Sequence, residues 1–136
     1  MNVVIKVIDF AKEKMKIKKF KVWDYKEKKF EYFDIKDGNL FPSKFSYERV
    51  YQFIGIWDKN LKEIYEDDVV RFKTDTKEDI GIVRYMNDYC SYIVEVQEGY
   101  DLFADISFDS LEVVGTMVED YMYNEKGELV KKIDLS

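Results

Sequence analysis

Histidine is absent from this 136-residue chain, cysteine and proline occur once each, and glycine occurs six times. Each shortage removes a class of chemistry. Without histidine there is no Ser-His-Asp or Cys-His arrangement, and the commonest nitrogen ligand for zinc is missing. Cys90 alone permits no internal disulfide and suits a reducing compartment. Its neighbours Asn87, Asp88 and Tyr89 bring no cation to favour a thiolate, so it reads as structural or incidental rather than nucleophilic. The glycines are scattered and form no phosphate-cradling loop, and neither an Asp-x-Asp-x-Asp-Gly calcium loop nor a Ser-x-x-Lys pair occurs. Long apolar runs are missing too. The opening MNVVIKVIDF is broken by Lys6 and Asp9 well before the length a spanning helix needs. The expectation is a cytoplasmic protein that is not an enzyme, with no cofactor, no metal and no catalytic residue.

Carboxylates are plentiful, but numbers alone do not make a site. Glu66-Asp67-Asp68 places three in succession. Consecutive strand residues point to opposite faces, so this reads as a solvated acidic turn rather than a metal cage. Glycoside chemistry would need a long cleft that a domain of this size has little room to build beside its core.

Aromatic residues are abundant, with 10 Phe, 11 Tyr and 2 Trp. They favour the half-buried, pleated surface of a sheet. Period-two alternation supports this. Ile17–Trp23 and Phe30–Ile35 read as a hairpin around Asp24–Lys28, with Phe20 and Val22 on one face and Lys19, Lys21 and Trp23 on the other. Its lysine-rich outer edge would discourage edge-to-edge pairing. Val3–Ile8 reads as a strand and Phe10–Met15 as a short helix. The single Pro42 marks a subdomain boundary. Val50–Trp57 is apolar on both faces and reads as a central strand. Asp68–Lys73 points Val70 and Phe72 inward; Ile80–Tyr85 and Tyr92–Val96 form a hairpin around Asn87-Asp88. Leu102–Phe108 and Leu111–Val118 follow as strands, and Tyr121–Tyr123 with Leu129–Ile133 flank a turn at Asn124–Gly127. Short strands at such spacing predict a mainly β barrel or roll with little helix. The expected organisation is a β-rich region with a basic hairpin over residues 1–48, a barrel over 49–120 and a terminal hairpin over 121–136.

Charge is distributed unevenly. Residues 1–62 carry 15 Lys/Arg and 9 Asp/Glu, whereas 63–136 carry 7 and 19. An acidic surface of Glu63, Glu66, Asp67, Asp68, Asp75, Glu78, Asp79, Glu95, Glu98, Asp101, Asp105 and Asp109 is expected to lie outside, because unpaired buried charge is costly. Such a surface would repel nucleic acid and attract a basic protein surface, including one that normally holds DNA or RNA. The basic hairpin, with Lys18, Lys19, Lys21, Trp23, Lys26, Lys28 and Lys29, supplies the alternative: a nucleic-acid-associated module in which rings and cations track a strand. Attraction between the basic and acidic parts also admits a homo-oligomer.

The segment Phe53-Ile54-Gly55-Ile56-Trp57-Asp58-Lys59-Asn60-Leu61-Lys62-Glu63-Ile64-Tyr65-Glu66-Asp67-Asp68-Val69-Val70 resembles the hallmark of the YopX family, small proteins of phages and prophages of low-GC bacteria. That hallmark reads aromatic, Thr or Ile, Gly, apolar, then Asp-Lys-Asn-Gly-Lys-Glu-Ile-Tyr-Glu-Gly-Asp-Ile-Val. Lys19-Phe20-Lys21-Val22-Trp23-Asp24 is similar to the family's opening Lys-Phe-Arg-Ala-Trp-Asp. Glu112-Val113-Val114-Gly115-Thr116-Met117-Val118-Glu119-Asp120 is similar to its closing Glu-Val-Ile-Gly-Asn-Ile-Tyr-Glu-Asn. Leu61 and Asp67 depart from the pattern where the family has Gly, so both turns invite strain. The resemblance implies an SH3-like β-barrel or roll in the C-terminal part, and the N-terminal β-hairpin region is expected to pack on it. It implies no activity, cofactor or catalytic residue. Together with the charge layout it leads to a phage accessory protein that contacts a host protein. One such partner is a nucleic-acid-binding effector complex of a defence system, which the protein would inhibit as an anti-CRISPR does.

Overall fold

The computed structural model describes residues 18–35 and 49–132, and these are mainly β, with eleven strands and three single-turn 3-10 helices. The expectations for Val3–Ile8, Phe10–Met15 and the boundary at Pro42 lie outside the described residues. The chain's contacts cluster into two units, Met1–Phe53 and Ile54–Ser136.

In the first unit, β1 (Lys18–Asp24) and β2 (Lys29–Ile35) pair antiparallel from Lys18↔Ile35 to Asp24↔Lys29. Asp24 shapes the turn. Its Oδ1 accepts the Lys26 and Glu27 N–H groups at 2.9 and 3.1 Å, and its carbonyl accepts Lys28 N–H at 2.7 Å. This is the local alternative that Asp offers a backbone leaving a strand. The start of β3 (Val50–Trp57) pairs with the other side of β1, through Phe20↔Gln52 and Lys21↔Tyr51. The central position of β1 alters one expectation. Lys21 is not part of a lysine-rich outer edge; it is only 4% exposed. Its ammonium lies 4.2 Å from the centre of the Phe30 ring, which also packs on Trp23 and Tyr51. A cation held on a ring face with its alkyl stem buried satisfies both ends of the side chain.

In the second unit, β4 (Glu63–Tyr65) follows β3, and the strands β5 (Asp68–Lys73), β6 (Glu78–Met86), β7 (Ser91–Val96), β8 (Gly99–Leu102) and β9 (Glu112–Thr116) form an antiparallel sheet ordered β8-β7-β6-β5-β9. The protein is thus mainly β with a curled, half-barrel sheet. Ile64, Val70, Phe72, Val83, Val94, Ile106 and Leu111 fill the main core, with Ile54 and Ile56 packed against them. The inward placement of Val70 and Phe72 follows the alternation. Burial of Val69 on the opposite face does not: it joins Ile82 and Tyr121 in a second cluster. The hairpin of β10 (Tyr121–Tyr123) and β11 (Leu129–Lys131) brings Tyr121 and Leu129 to that face. Gly115 lets it come close. A Cβ there would lie 2.8 Å from Asp120 Oδ2 and 2.9 Å from Tyr121 Cε2.

The strand expected over Leu102–Phe108 lies earlier. β8 ends at Leu102, and Phe103–Asp105 and Phe108–Ser110 form 3-10 turns that carry Ile106 and Leu111 into the core. An apolar run with broken alternation served as plugs rather than as a ladder.

Both departures from the glycine pattern fall on left-handed backbone, with φ of 63° at Leu61 and 66° at Asp67. Leu61 is 82% exposed, so its side chain returns little packing for the strain. Leu61→Gly is therefore expected to raise the unfolding free energy by about 0.5–1 kcal/mol, relief of left-handed strain outweighing the extra entropy of an unfolded glycine. Urea denaturation of the two proteins measures it; an unchanged or lower midpoint contradicts the strain.

Candidate functional site

The carboxylates divide into two populations. The first is internal. Asp58, 4% exposed, directly follows β3 and accepts three backbone N–H groups: Asn60 and Lys62 on Oδ1 at 2.8 and 2.9 Å, and Val113 of β9 on Oδ2 at 2.9 Å. Lys59 N–H adds a bond to the Leu111 carbonyl at 2.8 Å. Asp68, buried, accepts Tyr65 N–H at 2.8 Å and closes the turn between β4 and β5. Asp67, also buried, pairs with Arg84, whose Nε lies 3.3 Å from Glu95. Burial disfavours the Arg84 charge, but Asp67 and Glu95 overcome it and hold its pKa above the usual value. The expectation of a solvated acidic turn at Glu66-Asp67-Asp68 is corrected here. Asp67 and Asp68 lie inside because backbone N–H groups and a guanidinium replace the water they lose.

The second population is external. Asp75, Glu78, Glu98, Asp105 and Asp109 are exposed, as is Asp88, and no ion pair engages any of the six among the described residues. Glu63, Glu66, Asp79, Glu95 and Asp101 are half-buried. Lys77 bridges Asp101 at 2.8 Å and Asp79 at 3.3 Å, and the hydrogen bond it donates to Asp101 leads in raising its pKa. Thr74, Asp75, Thr76, Asp101 and Asp105 line one shallow acidic hollow. Among the described residues, no three Asp, Glu or Cys side chains converge as metal ligands, and no helix is long and apolar enough to cross a membrane.

Tyrosines gather at the β6–β7 hairpin. Tyr85, Tyr89 and Tyr100 are 48%, 55% and 40% exposed. The Tyr100 hydroxyl donates to Tyr89 at 2.8 Å, and Tyr85 stacks edge-on with Tyr92 at 5.3 Å. Sequence reasoning did not single these rings out, since alternation alone cannot tell a core ring from a surface one. Cys90 follows the Asn87–Tyr89 turn, exposed, at φ 49°. In the basic hairpin, Lys26, Lys28 and Lys29 are exposed beside Tyr25; Lys19 and Trp23 are half-buried, and Lys21 is buried. Lys18 opens β1.

The family model for YopX protein matches residues 9–121, which includes every element from β1 to β9 and reaches the start of β10. The chain belongs to the YopX family. No curated protein matches it. In this YopX family member the hallmark segment does structural work, since Asp58, Ile64, Tyr65 and Asp68 are all buried and three of them anchor backbone N–H groups or core packing. Asp67 takes a glycine position of the YopX pattern and exchanges conformational freedom for the Arg84 pair.

Two expectations follow for this YopX protein. Asp58→Ala leaves three N–H groups without their acceptor and is expected to cost about 3 kcal/mol or more, with Asp58→Asn falling between it and the parent. Thermal unfolding ranks the three proteins, and equal midpoints would contradict the anchoring role. Tyr92 has its hydroxyl pushed up to about 12, first by burial and then by Glu66 and Tyr85. An unfolded tyrosine titrates at about 10, so above that pH the folded state holds the proton longer. Stability contributed by Tyr92 is intact below pH 10 and falls as pH rises towards 12. Tyr92→Phe should flatten that fall in alkaline denaturation curves.

Proposed function

We propose that this YopX protein is a phage or prophage accessory protein that works by contact rather than catalysis. Its target is a basic surface on a host protein, such as the groove of a nucleic-acid-binding defence complex, which it inhibits by occupation. The observation that carries this reading is that Asp75, Glu78, Asp88, Glu98, Asp105 and Asp109 of the Ile54–Ser136 unit are exposed and enter no ion pair among the described residues. Residues 54–136 hold 9 Lys/Arg against 20 Asp/Glu, a net charge of −11, whereas residues 1–53 hold 13 against 8. A surface with that excess focuses a negative potential, speeds encounter with a cationic partner and repels phosphate. We read the curled sheet as an SH3-like roll, which the five-strand antiparallel order and the 3-10 turn before β9 support.

The basic hairpin keeps a second reading in play, because Tyr25, Lys26, Lys28 and Lys29 are all exposed at one turn. There the protein would associate with nucleic acid through rings and cations. Only this reading predicts a gel shift with single- or double-stranded DNA at low salt.

For the leading reading, the protein is titrated against candidate defence nuclease complexes while salt is raised. Affinity should fall by about tenfold or more between low and physiological salt, and the quadruple change Asp75→Asn, Glu78→Gln, Asp105→Asn, Asp109→Asn should slow association and reduce that salt slope. Binding that ignores both salt and these substitutions removes the electrostatic reading.

A further inference from the structure

Where β6, β7 and β8 meet, one face of the sheet is left with an open hollow of about 500 Å³. Strand register determines what lines it. Ile82↔Glu95, Arg84↔Ile93 and Met86↔Ser91 place Arg84, Met86, Ile93 and Glu95 on the same face, and Glu95↔Tyr100 adds the tyrosine of β8. Ile93 is almost wholly buried and forms an apolar floor; Tyr100 makes a wall, extended by its hydrogen-bonded neighbour Tyr89. Asp88 stands at the rim, and Glu98 is exposed in the adjoining β7–β8 turn. From the neighbouring hairpin, Tyr123 donates to Glu95 Oε1 at 3.2 Å.

The chemistry of this lining selects a ligand. Arg84 is the one cation lining the hollow among the described residues, and three carboxylates, Asp67, Asp88 and Glu95, surround it or share its rim, so the site is negative even with that ion pair intact. Phosphate or an acidic peptide meets repulsion there. Exposed tyrosine rings beside uncompensated carboxylates suit a flat cation instead. Ring faces attract it through their quadrupole, the carboxylates accept its N–H groups, and the apolar floor takes its alkyl stem. Guanidinium fits better than ammonium, because it is planar, weakly hydrated and able to stack while donating in its plane. The Tyr89–Tyr100 pair, held by hydroxyl contact at 2.8 Å, is ordered before a ligand arrives, which lowers the entropic cost of binding.

We propose that this hollow is the docking site for an arginine side chain within a basic segment of the partner protein. The proposal rests on the acidic-surface reading above and gives it an anchor: carboxylates around the unit steer the partner, and the Tyr89–Tyr100 hollow holds one arginine of it.

The full-length protein is titrated calorimetrically with oligo-arginine and oligo-lysine peptides of equal length. Oligo-arginine should bind several times more tightly. Tyr89→Leu and Tyr100→Leu should each weaken it by about two- to thirtyfold, the range a desolvated cation–ring contact spans, and narrow the gap between the two peptides. Asp75→Asn with Asp105→Asn and Asp109→Asn, away from the hollow, should weaken both peptides alike. In the unsubstituted protein, oligo-arginine should also shift the methyl resonances of Ile93 and Met86, a readout independent of how well any variant folds. Equal affinities for the two peptides, unmoved by the tyrosine changes and with methyl shifts elsewhere, overturn the hollow while leaving the acidic surface standing. Absence of binding by either peptide at low salt overturns both.

Discussion

The carboxylate of Asp58 is the constraint on which the Ile54–Ser136 unit turns. It is buried, and burial of a carboxylate is tolerable only where several donors replace its water. Asn60, Lys62 and Val113 supply three N–H groups, two from the turn that Asp58 itself begins and one from β9, 55 residues further along the chain. One side chain therefore sets the local reversal from β3 to β4 and ties it to the edge of the distant sheet. With that edge tied, β5 is flanked by β6 and β9 and can be apolar on both faces, Val70 and Phe72 towards the main core and Val69 towards Tyr121.

Acidic residues thus serve two opposed roles. Asp58, Asp67 and Asp68 act as internal acceptors for backbone or guanidinium, whereas Asp75, Glu78, Asp88, Glu98, Asp105 and Asp109 are exposed and enter no ion pair among the described residues. What separates them is the number of donors within reach, not residue type. The internal set raises the cost of unfolding; the external set makes no comparable bonds among the described residues. The Arg84 network lies between the two, buried at Asp67 and reaching solvent at Glu95, so the same guanidinium that compensates a buried carboxylate also borders the tyrosine hollow.

Much of this was legible in the residues. The hairpin around Asp24, the central β3, the inward Val70 and Phe72, the Asn87 turn and the terminal hairpin all follow from alternation and turn chemistry, because these are local and the chain carries them everywhere. The glycine departures at Leu61 and Asp67 announced left-handed backbone, and the membership in the YopX family was readable from the hallmark itself. The strand sought in Leu102–Phe108 failed for a complementary reason. Its alternation is interrupted, and those residues are buried by plugging a core that other strands build.

Sequence by itself therefore determined the mainly β class, the order of most strands, the family and the imbalance of charge between the two parts. Tertiary structure alone decided which carboxylates face inward, that Lys21 lies buried on Phe30, and that Tyr89 and Tyr100 meet beside Glu95. The reason is reach. Alternation and turn signals act over a few neighbours, but whether a charge can be buried depends on donors contributed by segments far away in the chain, and those exist only once the strands have paired.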